Sequence, residues 1–219
     1  MNADTRKSST DRIRPRTDVY ISVDVETDGP VPGPYSLLSF GMCVAGTFDG
    51  HRFRREDPTA RTFSRLLQPI SDEWQPEAMA VNGLDRDELR RSGQTPQTAM
   101  DEAGAWVLEV AGDARPVLVA YPVAFDWAFL YWYFVRFAAE GSPFGYSSCV
   151  DIRTLYQAKA KTVFDESGKD AMPAALQPHH PHTPDALDDA VEQAELFANV
   201  FEWILADETP GAVLALRRG

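Results

Sequence analysis

The run VYISVDV at residues 19–25 is the feature that most limits what this chain can fold into. Its side chains are mostly apolar, and many are β-branched or aromatic, so the run predicts a buried β-strand. Segments with the apolar spacing of helices follow at residues 98–110, 125–140 and 186–205, and residues 116–120 predict a short buried strand. Strands that alternate with helices predict an α/β fold with one mixed β-sheet flanked by helices.

The segments between these elements are less regular. Residues 37–45 and the stretch 50–53 predict further strands of an antiparallel meander. Residues 149–154 predict another strand, which a short helix follows. Residues 69–83 predict irregular structure, and residues 163–181, which include three prolines, predict a loop.

Composition limits the class of protein. A hydrophobic fraction of 44% excludes a mainly disordered chain, and the two cysteines, Cys43 and Cys149, exclude a disulfide scaffold. There is no apolar leader and no uncharged apolar stretch of about 18 residues, so we expect a soluble cytoplasmic protein without a membrane span. We expect a flexible polar arm at residues 1–17, one folded domain at 18–206 and a C-terminal tail at 207–219.

The charge of the chain bears on its partners. A net charge of −12 argues against a broadly basic surface that coats nucleic acid. It leaves open a carboxylate-rich site that handles phosphates through metal ions. The basic residues Arg52, Arg54 and Arg55 could guide a nucleic-acid strand, or they could form a solvated turn.

Two acidic positions stand where packing does not require them. Asp24 and Glu26 are two residues apart on the first strand, so their side chains project from the same face. A solvated strand end would explain them equally well. Asp126 is a lone acid in a strongly aromatic run, where it could also serve as a helix N-cap. We interpret the aromatic run as core or subunit interface rather than as a surface that stacks bases.

A third acidic position opens the last helix. The pair Thr183-Pro184 predicts a helix start, with Thr183 as the N-cap and Pro184 as the first helical residue. Asp189 lies off the apolar stripe of that helix, so packing does not require it, and His182 lies just before the helix. Carboxylate oxygens without cysteine ligands suit Mg²⁺ or Mn²⁺, and two such ions can catalyse phosphoryl displacement.

Four short motifs occur in the order and spacing of a known family. They are DVETDG at residues 24–29, AVNGL at 80–84, VAFD at 123–126 and DALDDA at 185–190. On these motifs the chain resembles the DEDDh 3′–5′ exonucleases, over about residues 18–204. The resemblance implies a ribonuclease H-like fold for the domain and a possible homodimer.

The resemblance also implies an activity and a site. The activity is metal-dependent 3′–5′ removal of 5′-mononucleotides from single-stranded RNA or DNA. Two Mg²⁺ or Mn²⁺ ions would be held by four acids, a histidine would act as general base, and nearby side chains would bind the 3′ end. In this sequence the acids are Asp24, Glu26, Asp126 and Asp189, the base is His182, and the substrate-binding residues are Thr27, Phe125, Arg52, Arg54 and Arg55.

Two departures from the family pattern affect this interpretation. The family histidine precedes the last aspartate by five residues, where this chain has Pro184, and His182 is two residues earlier. Tyr121-Pro122 stands where the family often has His-Asn. The alternative hypotheses are therefore a catalytically weakened homologue that binds nucleic-acid 3′ ends or a protein partner, and a non-nuclease domain whose aromatic helix forms a partner surface.

Overall fold

A six-stranded mixed β-sheet forms the centre of the computed structural model, which describes residues 17–206. The strands are β1 (Asp18–Thr27), β2 (Leu37–Phe48), β3 (Phe53–Arg55), β4 (Thr62–Leu66), β5 (Arg115–Ala120) and β6 (Cys149–Asp151). Their order is β3-β2-β1-β5-β6, and β4 pairs with the other end of β2. The pairs β1–β5 and β5–β6 are parallel, whereas β2 is antiparallel to β1, β3 and β4.

Helices cover both faces of this sheet. They are α1 (Pro76–Asn82), α2 (Arg86–Ser92), α3 (Pro96–Ala111), α4 (Val123–Phe137), α5 (Ile152–Ala160) and α6 (Ala186–Leu205). Successive β1 side chains point to opposite faces, as a strand requires. Ile21, Val23 and Val25 therefore pack in the core with α3 and α4, whereas Tyr20 packs in the core with α5 and α6. The mixed sheet flanked by helices confirms the fold predicted from the sequence.

Most of the predicted elements are present, but residues 69–83 are not wholly irregular. Their second half forms α1, with Pro76 in its first turn, where the fixed φ of proline suits a helix and its missing N–H costs nothing. Strand β4 was not predicted, because its five half-exposed residues carry little apolar alternation. It forms through pairing with β2.

The predicted start of the last helix is wrong by two residues. Asp185, not Thr183, is the N-cap of α6, and its carboxylate accepts hydrogen bonds from the N–H groups of Leu187 and Asp188. The Thr183 hydroxyl instead accepts the Asp185 N–H at 3.2 Å. Pro184 therefore lies before the helix, in the segment that leads from the predicted loop into α6.

The predicted N-terminal arm, apart from residue 17, and the predicted tail at 207–219 lie outside the described residues. Within residues 17–206, no helix has the length and apolar character needed to cross a membrane.

Candidate active site

Asp24 and Glu26 lie near the C-terminal end of β1 and face α6. The intervening Val25 points into the core under α3 and α4, so the two acids share the opposite face. Asp24 contacts α6 directly, because Gln193 Nε2 donates a hydrogen bond to its Oδ1 at 2.7 Å. The strand thus places two carboxylates at the edge where the parallel strands end.

Asp126 reaches the same place from the first turn of α4. The residue is 4% exposed, and its Oδ1 accepts the backbone N–H of Val25 at 3.1 Å. Pro122 occupies the N-cap position, so Asp126 is not the helix cap that the sequence left open. Its hydrogen bond instead fixes the start of α4 against β1, between the two strand acids.

Asp189 is brought to the cluster by a close approach of α6 to β2. Gly41 pairs with Asp24 across the sheet, and a Cβ built on Gly41 would lie 2.4 Å from the Cα of Leu187. No side chain fits there, so glycine allows the first turn of α6 to rest on the sheet. The buried Asp189, two residues further along α6, then faces the β1 acids.

Burial raises the pKa of each of the four carboxylates, and repulsion from other members of the cluster adds to this for three of them. Burial, followed by the charges of Asp126, Glu26 and Asp189, raises the pKa of Asp24 well above its usual range. Burial raises the pKa of Asp126 to about 8. Burial and the charge of Asp189 raise the pKa of Glu26 to about 7. Buried acids at neutral pH need a compensating cation, so the cluster is suited to hold metal ions.

His182 contacts the cluster through Asp189. Its Nδ1 lies 2.7 Å from Asp189 Oδ2, and the backbone N–H of Thr183 donates to Asp189 Oδ1 at 2.8 Å. Because the Asp189 carboxylate accepts this hydrogen bond, Nδ1 carries the proton. Nε2 is then able to accept a proton. The His182 side chain is 73% exposed, so water reaches it freely.

Three further residues at the cluster were not identified from the sequence. Gln193 is buried, and its Oε1 accepts the backbone N–H of Tyr121 at 2.6 Å while its amide nitrogen holds Asp24.

Lys169 Nζ lies 2.6 Å from Glu192 Oε2, and its charge acts on Asp24, Asp126 and Asp189. Ligand atoms of His182, Asp189 and Glu192 lie within 4.8 Å of one another. The spacing of Gln193 four residues after Asp189 places both on one helix face, which is the signal that could have found it.

Thr27 and Phe125 line a cleft beside the cluster. The cleft has a volume of about 360 Å³, and Glu26, Ala78 and Val81 also line it. One wall is α1, which Asn82 anchors by donating a hydrogen bond from Nδ2 to the backbone oxygen of Thr27 at 2.9 Å. Within the AVNGL segment, Asn82 thus ties α1 to β1, and Gly83 ends α1 in the left-handed conformation.

The structure does not bring Arg52, Arg54 and Arg55 to the cluster. They lie in or beside β3, which pairs with residues 46–48 of β2, whereas Asp24 lies opposite Gly41. Arg54 pairs with Asp49, and Arg55 pairs with Glu202. These residues therefore lie toward the opposite end of β1, and two of the three charges are already compensated.

The donor set fits divalent metal ions. Asp24, Glu26, Asp126 and Asp189 supply only carboxylate oxygens, which are the ligands that Mg²⁺ and Mn²⁺ prefer. One side-chain amide donates to Asp24, and backbone N–H groups donate to Asp126, so oxygen lone pairs of both carboxylates stay available.

Some known proteins are similar to this chain in sequence, and others are similar to it in fold. The chain is 36% identical over 185 residues to the 3′–5′ DNA exonuclease Cap18 of Escherichia coli, covering 83% of this chain and 92% of the relative. No family model matches the chain. Its fold is similar to the nuclease domain of 3′hExo, a DEDDh family member bound to rAMP, with a TM-score of 0.60, 15% identity and coverage of 85% and 92% of the two chains. E. coli exonuclease I in complex with dT13 gives a TM-score of 0.57 and 17% identity over 91% of this chain and 42% of that one.

Proposed function

This chain belongs to the DEDDh family of 3′–5′ exonucleases, and we propose that it releases 5′-mononucleotides from single-stranded DNA by two-metal-ion hydrolysis. The observation that supports this proposal best is the convergence of four carboxylates from three separate segments. Asp24 and Glu26 come from β1, Asp126 from α4 and Asp189 from α6. Burial raises the pKa of each of these acids, as expected for carboxylates that bind cations.

The proposed mechanism assigns a role to each side chain. Asp24, Glu26, Asp126 and Asp189 would hold two Mg²⁺ or Mn²⁺ ions. Such ions, when bound, supply an activated water and stabilise the leaving oxygen of a phosphodiester. His182 would accept the proton of the attacking water at Nε2, because its Nδ1 proton is held by Asp189. Gln193 would keep the Asp24 carboxylate in one orientation.

The terminal nucleotide of the substrate would occupy the cleft beside Glu26. Its lining combines the apolar Val81 and Phe125 with the polar backbone around Thr27, and Phe125 offers a ring face to a base. The 3′ end would enter the cleft with the last phosphodiester over the carboxylates. We do not assign the strand to Arg52, Arg54 and Arg55, since they lie away from this cleft.

The proposal of DNA as substrate rests on the relative named a DNA exonuclease. RNA is the competing substrate, because one fold neighbour was solved with rAMP and another with a deoxythymidine oligomer. Product analysis tests both. We expect 5′-deoxymononucleotides from a DNA oligomer and slower release of ribonucleotides from the matching RNA. Products with 3′-phosphates, or internal fragments, would contradict the proposal.

A second candidate function is a weakened nuclease that holds 3′ ends. The observation in its favour is Pro184, which stands where the family has its histidine and cannot accept a proton. If this candidate is right, Pro184→His should raise the cleavage rate greatly. If His182 already acts as the base, the same substitution should change the rate little.

We also propose a cytoplasmic location and a homodimer. Cys43 and Cys149 are both free thiols, as expected in a reducing compartment. The outer face of α4 carries Val135, which is exposed, and Trp132, which is half-buried, and these could pack against a second copy. Sedimentation velocity gives the oligomeric state, and a monomer at micromolar concentration would contradict the dimer.

A further inference from the structure

An arginine and an exposed phenylalanine are stacked in the segment that follows β6. Phe164 lies in the 3₁₀ turn Phe164–Glu166 that follows α5, and the residue is 59% exposed. The guanidinium carbon of Arg153 lies 3.6 Å from the centre of its ring. The neighbouring Val163 is also exposed, so the turn presents apolar surface that no described element covers.

Hydrogen bonds hold this pair in place. Arg153 Nη2 donates to the backbone oxygen of Phe164 at 2.6 Å, and its Nε donates to Ser167 Oγ at 2.9 Å. Ser167 is fully buried, so it anchors the turn to the body of the protein. Within residues 17–206, no carboxylate lies at ion-pair distance from Arg153. The adjacent Glu166 carboxylate accepts the Thr162 hydroxyl instead.

Tyr121 connects the pair to the catalytic carboxylates. Its hydroxyl donates to the backbone oxygen of Ser167 at 3.2 Å, and its backbone N–H is bound by Gln193, which also holds Asp24. Lys169 Nζ lies 5.4 Å from the centre of the Tyr121 ring, between the turn and the cluster. Tyr121 and Gln193 thus connect the Arg153–Phe164 pair to the acidic cluster.

The pair lies across the cluster from the cleft proposed for the terminal nucleotide. Phe125 and α1 line the cleft, and Phe125 lies in the first turn of α4, which packs on one face of the sheet. Arg153 belongs to α5, which packs on the other face with α6. In the proposed path the last nucleotide fills the cleft, the last phosphodiester lies over the carboxylates, and the upstream strand continues toward Phe164.

We propose that Arg153 and Phe164 form a stacking platform for bases of the single strand upstream of the scissile bond, an inference that rests on the proposed exonuclease function. Every base has a π-face, so an aromatic ring binds single strands of any sequence. Arg153, which has no ion-pair partner among the described residues, supplies positive charge to the phosphates, which a chain of net charge −12 otherwise repels. Terminal hydrolysis itself does not require this platform.

Length-dependent binding tests the platform. The probes are a deoxythymidine dinucleotide and a dodecanucleotide, each with a cleavage-resistant 3′-terminal phosphorothioate linkage, bound in Mg²⁺. Phe164→Ala should weaken dodecanucleotide binding about tenfold, Phe164→Trp should restore it, and neither should change dinucleotide binding. Arg153→Gln should lower the slope of log affinity against log salt by about 0.7 for the dodecanucleotide alone.

Two matched substitutions serve as controls. Tyr146→Ala removes an exposed aromatic side chain from the loop before β6, and Arg136→Gln removes the cation over the Phe137 ring at the far end of α4. Both should leave binding at either length unchanged.

Three results would overturn the platform: equal losses at both lengths, no loss at either length, or a wild-type protein that binds the dodecanucleotide no tighter than the dinucleotide. If wild-type protein cleaves no oligomer but Phe164→Ala still weakens only the long strand, the proposed function fails and the platform stands. If wild-type protein cleaves the oligomer but binding shows no length dependence, the proposed function stands and the platform fails.

Discussion

The side chain of Gln193 bridges Asp24 and the end of β5. Its amide nitrogen donates to Asp24 Oδ1 at 2.7 Å, and its carbonyl oxygen accepts the Tyr121 N–H at 2.6 Å. A buried amide with both ends satisfied fixes the carboxylate it contacts. The Asp24 carboxylate is therefore oriented by α6, although it belongs to β1.

Replacing Gln193 should affect catalysis more than folding. Gln193→Glu keeps an oxygen for the Tyr121 N–H but loses the donor to Asp24, so we expect about a 10–100-fold loss of turnover. The Mn²⁺ affinity, measured by calorimetry, should change with it. Asn199→Leu removes another α6 amide, which binds Leu176 and Gln177, and should lower the melting temperature without changing turnover. Equal turnover losses in both variants would contradict a positioning role.

Gly41 should tolerate no side chain. In Gly41→Ala the new Cβ would meet the backbone of Leu187, so α6 must move away from β2 and carry Asp189 with it. We expect destabilisation of about 1–3 kcal/mol, together with a loss of metal-induced stabilisation in thermal melts. Gly104→Ala is the matched control, because its Cβ meets only Phe134 at 3.8 Å. Full activity in Gly41→Ala would show that the approach of α6 is not needed.

The stability of protein prepared in EDTA should fall as the pH rises from about 4 to 8. Folding raises the pKa of Glu26 to about 7 and that of Asp126 to about 8, from the ordinary values of 4.5 and 3.8. The folded state therefore binds more protons than the unfolded state in this range, and stability decreases with pH. Mg²⁺ or Mn²⁺ should raise the melting temperature more at pH 8 than at pH 5.5.

The substitution Asp126→Asn separates the contribution of Asp126 to the pH dependence of stability from that of other titrating groups. Its melting temperature in EDTA should exceed that of the wild type at pH 8 and approach it near pH 4, since the amide carries no charge to bury. Metal ions should stabilise the variant less. A variant curve parallel to that of the wild type between pH 4 and 8 would contradict the origin assigned to the pH dependence.

His182→Ala should lower turnover by about 10²–10⁴-fold, because general-base catalysis supplies a factor of that size. The variant should bind a 3′ end normally, since His182 touches Asp189 and not the cleft. His180→Ala is the control, because His180 lies 3.6 Å from Asp188 rather than on the cluster. An active His182→Ala protein would mean that His179, His180 or no histidine acts as the base.

The sequence predicted the fold and the four candidate acids for different reasons. The apolar run before Asp24 and the stripe of α6 are local patterns, so β1 and α6 were predictable. The acids were singled out because packing does not require them at these positions and because their order matches a family. Gln193 and Lys169 escaped this reasoning, since their roles depend on contacts with β1, β5 and a loop distant in the sequence.

The arginines near β3 show what local reasoning misses. Arg54 and Arg55 form a basic cluster in the sequence, but the register of β2 decides which end of the sheet they occupy. Their partners, Asp49 and Glu202, also become visible only in the fold. A charge cluster therefore does not define a binding surface until strand pairing is known.

The most direct test of the central claim is a cleavage assay on 5′-labelled single-stranded DNA and RNA in Mg²⁺, Mn²⁺ or EDTA. Asp24→Asn serves as the matched variant, because it removes the charge and keeps the size of the side chain. We expect a ladder that shortens from the 3′ end of DNA, requires the metal ion and is absent in Asp24→Asn. A ladder that persists in EDTA or in Asp24→Asn would contradict the assignment of the carboxylate cluster as the active site.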